Sequence, residues 1–294
     1  MRFGARLAAV AMAAASSLLV GGTRQPDTPL DIRLDYRSLR PGEVIRITVA
    51  EAGDVSQAQA RFLDQKFPLG RGTDPSRLMA FVGLDLELSP GRYPLSVSVL
   101  RASGRWDEKK LDIVVEPCQF PVRKLWVDEQ YVTPPPEVQE RIRAESEILR
   151  SIYQISSSAW LGEAGFIIPL EGRPADNFGE RRIFNNKPRS PHSGQDISAP
   201  AGAPVKASAS GRVVLAMDLY FSGNTVIIDH GLDVYTVYCH FSKITAVRGA
   251  FVKAGNTIGL VGATGRVTGP HLHWSLRVRG SRVDPYSLVG RPPD

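Results

Sequence analysis

The sequence of 294 residues predicts a mainly β fold. Between residues 27 and 116, six short segments alternate apolar and polar residues or are rich in β-branched residues, with turn residues between them. Further alternating segments, which carry histidines, lie between residues 233 and 279. One stretch with helical periodicity, residues 137–154, lies between the two groups. This order predicts two β-rich regions joined by one helix.

The first 24 residues have the composition of a secretory signal. Arg2 and Arg6 precede an apolar run over residues 7–20, and Gly-Gly-Thr follows it. The run is shorter than the about 20 residues that a membrane-spanning helix needs. We therefore expect an exported protein that is attached to a membrane only if this segment is not removed. No cysteine follows the run, which argues against a lipid anchor.

Residues 25–116 are predicted to form an immunoglobulin-like β-sandwich, because short strands at regular spacing with Pro-Gly and Gly turns are typical of that fold. The expected strands are residues 31–36, 44–50, 59–63, 77–84, 93–100 and 109–115. The region contains no histidine and no cluster of metal ligands. We interpret it as a positioning or binding module.

Residues 117–159 are predicted to form a connecting segment. Its first part, residues 117–136, is a proline-bearing spacer that we expect to be inert. A helix follows over residues 137–154, entered through proline, with Val138, Ile142, Leu149 and Ile152 on one side. The helix is expected to pack against one of the flanking regions, and nothing in it indicates catalysis. Residues 160–294 then form the last predicted domain.

His192 and Asp196 are a candidate pair of metal ligands in Ser-Pro-His-Ser-Gly-Gln-Asp-Ile-Ser-Ala-Pro, residues 190–200. Flanking prolines and Gly194 argue against a helix, in which ligands four residues apart would share a face. In a straight strand the two residues would be roughly 13 Å apart, too far to bind one ion. We therefore expect a turn or bulge at residues 193–194.

Two further segments supply histidines. Read with a period of two, residues 271–278 have His271, His273, Ser275 and Arg277 on one face and apolar residues on the other. Both histidines could bind one ion, or one could bind while the other faces a substrate, and the spacing does not decide between these.

Residues 233–240 form a similar strand, with Tyr238 and His240 on one face and Cys239 on the opposite, apolar face. His240 is therefore a candidate for the same site, and Cys239 is expected to point away from it.

Three segments in this order, His192-Ser-Gly-Gln-Asp196, Tyr238-Cys-His240 and Thr268-Gly-Pro-His271-Leu-His273, resemble the signatures of the M23 family of zinc metallopeptidases, also called the LytM or lysostaphin-type domain. The resemblance extends over residues 178–285. It implies an antiparallel β-sheet groove in the C-terminal region, with zinc held at His192, Asp196 and His273. It also implies that His240 and His271 face the reacting groups without being ligands.

The implied activity is hydrolysis of peptide bonds in bacterial cell-wall peptidoglycan, in the periplasm or cell envelope. Three protein ligands leave a fourth position for a water that zinc makes acidic. His271 is then the expected general base, and His240 the residue that orients or stabilises the oxyanion. The alternative is a non-catalytic wall-binding or regulatory module that activates another cell-wall hydrolase. Loss of a site residue would favour that alternative, and none is lost.

Charge divides the chain, since the formal net charge of +6 combines +3 in residues 1–24, −2 in residues 25–159 and +5 in residues 160–294. A basic catalytic region suits an anionic polymer such as cell wall, although a merely solvated surface explains it as well. We expect peptidoglycan peptides as the substrate, cell-envelope proteins as further partners and no nucleic acid. Opposite charges also suggest that the N-terminal part restrains access to the groove.

Five other residues or segments have structural or weaker functional interpretations. Cys118 and Cys239 could pair in an exported chain, or Cys239 could stay a buried thiol. His230 precedes a turn and is expected to be structural. Tyr220 lies in a loop that could reach the groove. The glycine-rich segment 262–269 lacks the elements of a phosphate-binding loop, and we expect it to shape the groove wall.

Overall fold

The computed structural model describes residues 30–50, 54–163 and 165–291. The predicted signal segment lies outside them. The described part of the N-terminal region, residues 30–50 and 54–115, contains eight strands: β1 (Ile32–Asp35), β2 (Val44–Val49), β3 (Val55–Phe62), β4 (Gln65–Pro68), β5 (Gly70–Arg71), β6 (Leu78–Gly83), β7 (Gly91–Arg101) and β8 (Trp106–Val115). All six predicted strands are present, and β4 and β5 are additional.

These strands form two antiparallel four-stranded sheets, in the orders β1-β2-β6-β5 and β4-β3-β7-β8. Both sheets contribute to one apolar core, with Ile45 and Ile47 from β2 and Phe62, Leu95 and Val97 from the other sheet. The alternation in β7 buries every second residue, as expected of a strand with one face in a core. The region therefore has two sheets around one core, and its immunoglobulin-like class stays a prediction.

The rest of the chain contains one α-helix among the described residues and thirteen strands. The elements are β9 (Val122–Leu125), α1 (Gln139–Gln154), β10 (Arg173–Pro174), β11 (Arg181–Phe184), β12 (Lys187–Pro188), β13 (Gln195–Ser198), β14 (Pro204–Lys206), β15 (Gly211–Leu219), β16 (Gly223–Asp229), β17 (Val234–Ile244), β18 (Phe251–Val252), β19 (Thr257–Val261), β20 (Leu272–Val278) and β21 (Ser281–Val283). Short 3-10 helices cover Glu129–Tyr131, Pro136–Val138 and Pro285–Ser287.

A ten-stranded antiparallel sheet forms most of the C-terminal region, residues 165–291. Its main path is β10-β13-β20-β17-β16-β15-β18, and β14, β19 and β21 pair at its side. The long strands β15, β16 and β17 form two consecutive hairpins. Each strand pairs with the next one along the chain, so the connections between them are short. Leu272 and Trp274 of β20 and Tyr238 of β17 lie in the core of this region.

The N-terminal sheets pack against the C-terminal sheet through β6. Every residue of β6 is buried, because one face lies in the N-terminal core and the other meets Leu276, Val278 and Val283. A Cβ atom at Gly83 would lie only 2.8 Å from Cβ of Ser281, so glycine allows this close approach. Leu276 and Val278 lie on the face of β20 opposite to His273.

The connecting segment is not the inert spacer that the sequence suggested. Strand β9 pairs in parallel with β11 and forms a three-stranded sheet with β11 and β12. The prediction missed this strand because β9 shows no alternation of its own and its partner lies more than 50 residues away. Helix α1 begins two residues later than predicted, and Leu149, Ile152 and Tyr153 pack it against β15, β16 and β17.

No helix in the described ranges is long and apolar enough to cross a membrane. Cys118 and Cys239 are both free thiols, so the structure contains no bridge between the connecting segment and β17.

His230 is a buried histidine that joins three elements at the end of β16. Its Nδ1 lies 2.8 Å from the carbonyl oxygen of Ser210, and its Nε2 lies 2.7 Å from the hydroxyl of Thr236. The ring also packs edge-on against Phe166. Burial lowers the pKa of His230 to about 4. These contacts fit the structural role that the sequence suggested.

We expect His230 to make the folded state sensitive to acid. Its folded pKa is lower than its unfolded pKa, so the unfolded state binds the proton more tightly, and stability falls as the pH decreases from about 6.5 towards 4. Between pH 7 and pH 5 this group should cost roughly 2 kcal/mol. Denaturant unfolding of metal-free protein at both pH values measures the loss. His230→Gln should reduce that loss by the same amount, and an unchanged loss would contradict the assignment.

Candidate metal centre

The pairing of β13 with β20 brings the site residues together. In this antiparallel pair Asp196 lies directly opposite His273, so both side chains project from the same face of the sheet. His192 lies just before β13, and its backbone bonds to Gly179 and Glu180 instead of continuing the strand. The chain bends at Gly194, where the sequence predicted a turn.

Three donor atoms converge on one point. Nε2 of His192 lies 3.1 Å from Oδ1 of Asp196, and Nδ1 of His273 lies 3.0 Å from the same oxygen. The two imidazole nitrogens are 2.8 Å apart. His192, Asp196 and His273 are the one group of histidine, cysteine or acidic side chains within the described ranges that could hold a metal ion, with ligand atoms all within 4.8 Å of one another.

Glycine at position 194 is required by close packing against β20. A Cβ atom there would lie 2.4 Å from Oγ of Ser275 and 2.6 Å from the carbonyl oxygen of Trp274. It would also lie 2.8 Å from the ring of His273. Any larger side chain would therefore displace the strand that carries His273.

Neighbouring groups orient the three side chains. The carbonyl oxygen of Asn177 accepts a hydrogen bond from Nδ1 of His192 at 2.9 Å, which leaves the lone pair of Nε2 facing the other ligands. The side chains of Asn177 and Arg182 donate to Oδ2 of Asp196 at 2.8 and 2.9 Å, which leaves Oδ1 free. The hydroxyl of Ser275 lies 2.8 Å from Nε2 of His273 and can accept a hydrogen bond from it.

Asn177 and Arg182 were not identified as site residues from the sequence. Asn177 lies 19 residues before Asp196 and Arg182 lies 14 residues before it, in a segment without regular periodicity. The backbone N–H of Asp196 also donates to the side-chain oxygen of Asn177 at 3.1 Å. Asn177 therefore holds both the backbone and the carboxylate of Asp196.

The donor set fits a cation. Burial raises the pKa of the Asp196 carboxyl, but its polar contacts with the His192 and His273 rings outweigh this and hold the pKa well below its usual range. Burial lowers the pKa of His273 to about 4, against the hydrogen bond to Asp196. At neutral pH the anionic oxygen of Asp196 and the neutral ring of His273 thus face one another at 3.0 Å, and a divalent cation between them would remove their mutual repulsion.

His240 and His271 lie beside these donors, with ring centroids 5.0 Å apart. Nδ1 of His240 donates to the carbonyl oxygen of Thr264, and Nδ1 of His271 donates to that of Gly269, both at 2.8 Å. Each ring therefore directs the lone pair of Nε2 into the site, and Nε2 of His271 lies 3.6 Å from Oδ1 of Asp196. Burial, followed by repulsion from His273 and His271, lowers the pKa of His240 to about 3.

The backbone at His240 breaks the strand alternation. His240 has a φ of 68°, a left-handed conformation, and its N–H donates to the carbonyl oxygen of Ser222. As a result Cys239 and His240 both line the groove, whereas Tyr238 lies in the core on the other side. The prediction that Cys239 points away from the site was wrong, because it assumed an extended strand through His240.

Cys239 does not join the metal ligands. Burial raises the pKa of its thiol to about 12, so it remains protonated. It packs with Leu215, Ile227 and Val237 in the apolar cluster under helix α1.

A groove runs across the site, and the connecting segment forms part of its walls. Arg123, Leu125 and Val127 lie along one end, next to Asp196 and His271. Leu149 and Tyr153 of α1 lie along the other end, next to His192, His273 and Arg277. The glycine-rich segment contributes its residues 266–269 to the wall, as expected.

The N-terminal sheets lie behind β20, so they do not themselves cover the histidines. The expected restraint of access therefore concerns β9 and α1 instead of the sheets, and it stays a prediction. Tyr220 does not reach the donor atoms, because its hydroxyl donates to the carbonyl oxygen of Gln130 and its ring packs against Tyr131.

Comparison with known proteins agrees with this site. The sequence model of peptidase family M23 matches residues 190–285. A crystal structure of an M23 peptidase from Pseudomonas aeruginosa is 31% identical, covers 86% of this chain and 96% of that chain, and superposes with a TM-score of 0.66. The chain belongs to peptidase family M23.

Two curated relatives match the C-terminal region. The peptidoglycan DD-endopeptidase ShyA of Vibrio cholerae is 46% identical over 113 residues, which are 38% of this chain and 26% of ShyA. The DD-carboxypeptidase/endopeptidase Mpg of Neisseria meningitidis serogroup B is 43% identical over 103 residues, which are 35% of this chain and 24% of Mpg. The chain thus spans about a quarter of the length of these relatives.

We expect Asn177→Ala to weaken metal binding although Asn177 is not a ligand. The change removes the contacts that fix Asp196, and loss of such supporting contacts lowers metal affinity by roughly 10- to 100-fold. Competition with a chromogenic zinc chelator measures the dissociation constant. Asn256→Ala, in an exposed turn away from the site, is the matched control. Equal affinity of Asn177→Ala and wild-type protein would show that Asn177 does not support the site.

Proposed function

We propose that this protein is an exported zinc endopeptidase that hydrolyses peptide bonds in bacterial cell-wall peptidoglycan. The observation that carries the proposal is the convergence of the His192, Asp196 and His273 donor atoms in a groove that also contains His240 and His271. The matches to ShyA and Mpg support peptidoglycan as the substrate, since their names describe peptidoglycan DD-endopeptidase and DD-carboxypeptidase/endopeptidase activities.

His192 Nε2, Asp196 Oδ1 and His273 Nδ1 would hold the zinc ion. Two imidazoles and one carboxylate suit zinc, and three protein ligands are typical of a catalytic site that keeps one position open. Bound there, zinc would polarise the carbonyl of the scissile peptide and lower the pKa of a water to near neutral. Among the described side chains, the hydrogen bonds from Asn177 and Arg182 hold the carboxylate in place for this role.

His271 is the proposed general base. Its Nδ1 proton is committed to the carbonyl oxygen of Gly269, so Nε2 has a free lone pair directed at the ligand cluster. In this position it can accept a proton from the attacking water and return it to the leaving amine. The hydrogen bond to Gly269 also fixes the His271 ring, so the ring loses little rotational freedom when the substrate binds.

His240 is the proposed stabiliser of the oxyanion. Because its Nδ1 proton is held by Thr264, Nε2 can donate to an oxyanion only when the ring carries a second proton. Burial disfavours that charged form in the resting protein and lowers the pKa of His240 to about 3. For this role His240 would take up one proton from solvent as the negative charge develops beside it, and it would release that proton when the oxyanion collapses.

Digestion of purified peptidoglycan tests the proposal. Wild-type protein loaded with zinc should release fragments whose masses show hydrolysis of peptide bonds, and a chelator should stop their release. His192→Ala and Asp196→Ala should lose both zinc and activity. His271→Ala should keep about one zinc and lose activity by on the order of 100-fold or more, because the loss concerns proton transfer.

Two variants of His240 distinguish a residue that stabilises the oxyanion from one that accepts a proton. A Gln side chain at position 240 can donate an N–H without titrating, so His240→Gln should retain more activity than His240→Ala if the residue stabilises an oxyanion. Equal loss in both variants would indicate a proton acceptor. Intact peptidoglycan after digestion with zinc-loaded wild-type protein would contradict the enzymatic proposal and favour the regulatory module.

A further inference from the structure

One arginine in the groove has no acidic partner. Arg266 lies in the glycine-rich segment before β20, and it lines the groove on both sides of the metal cluster. Within the described ranges no carboxylate pairs with its guanidinium, and no protein group accepts a hydrogen bond from it. Its backbone N–H donates to the carbonyl oxygen of Phe221 and fixes the loop.

Two aromatic rings hold the Arg266 side chain. Its guanidinium carbon lies 4.8 Å from the ring centre of Phe184 and 4.9 Å from that of Phe221. Stacking uses the faces of the guanidinium and leaves its N–H groups, which lie in the guanidinium plane, without a partner. None of these nitrogens is sealed from solvent, so they remain accessible from the groove. Stacking therefore restricts the side chain without satisfying its donors.

The surroundings of Arg266 are positively charged. Burial, followed by the charges of Arg182 and Arg189, lowers the pKa of Arg266 to about 10. Arg182 is already bound to Asp196, and Arg189 donates to the carbonyl oxygens of Pro188 and Val132. A half-buried cation with two cationic neighbours is costly unless an anion joins it. The groove is thus prepared for a negatively charged group.

We propose that Arg266 recognises a free carboxylate on a residue beside the scissile bond of the substrate peptide. The proposal rests on the peptidase function proposed above and specifies its substrate class. A stacked guanidinium offers two parallel N–H groups that match the two oxygens of a carboxylate. Phe184 and Phe221 keep the fork in one orientation, so a peptide with a carboxylate at this position is bound in register with the metal cluster.

Two synthetic cross-linked peptides test this inference. They have the same sequence and differ in one group, a free carboxylate or a carboxamide on the residue next to the cleaved bond. Wild-type protein should cleave the carboxylate peptide with a kcat/KM about 10- to 100-fold higher, as expected for a charge-assisted bidentate contact. Arg266→Gln should lose most of this preference, and Arg266→Lys should keep part of it because the charge remains.

The controls separate this inference from the function on which it rests. Arg248→Gln, which removes an exposed positive charge elsewhere in the C-terminal region, should keep the wild-type preference. Zinc content and the thermal midpoint show that each variant is folded. Cleavage of both peptides at equal rates by wild-type protein, or an unchanged preference in Arg266→Gln, would overturn the inference but not the peptidase function. If wild-type protein cleaves neither of the two peptides nor purified peptidoglycan, both the inference about Arg266 and the proposed peptidase function are wrong.

Discussion

The antiparallel pairing of β13 with β20 is the constraint on which the site depends. It sets Asp196 opposite His273 and brings His192, at the end of the preceding bend, within 3.1 Å of the shared oxygen. The pairing is possible because glycine at position 194 lets the chain approach β20 closely. Apolar residues on the other face of β20 anchor the strand in two cores, so the positions of the ligands depend on most of the C-terminal region.

The electrostatics of the site follow from burial and from hydrogen bonds to neutral or fixed groups. Carbonyl oxygens hold the Nδ1 protons of His192, His240 and His271, so three Nε2 lone pairs point into one small volume. One carboxylate, Asp196, is kept ionised among them. A set of lone pairs around one carboxylate attracts a divalent cation, and the positively charged groove around it attracts anionic groups. Charge would therefore select both the metal, at the donor atoms, and the substrate, along the surrounding groove.

Much of the candidate site follows from local sequence patterns, whereas its supporting contacts do not. The alternation of β20 correctly separated His271 and His273 from the core residues, because a half-buried strand has a strict period of two. The bend at Gly194 followed from ligand geometry. The same rule failed at His240, whose left-handed backbone has no signal in the neighbouring residues. Strand β9 and the contacts of Asn177 were missed because their partners are distant in sequence and are fixed only by the tertiary fold.

X-ray absorption at the zinc edge tests the central claim most directly, since it reports the atoms around the metal without requiring turnover. On protein loaded with one zinc per chain, we predict a first shell of about four nitrogen or oxygen atoms near 2.0 Å, with multiple scattering from two imidazoles. Such a shell matches one donor atom each from His192, Asp196 and His273 and a water molecule in the fourth position. A sulfur atom at about 2.3 Å, or scattering from three or more imidazoles, would contradict this assignment and indicate that Cys239, His240 or His271 binds the metal.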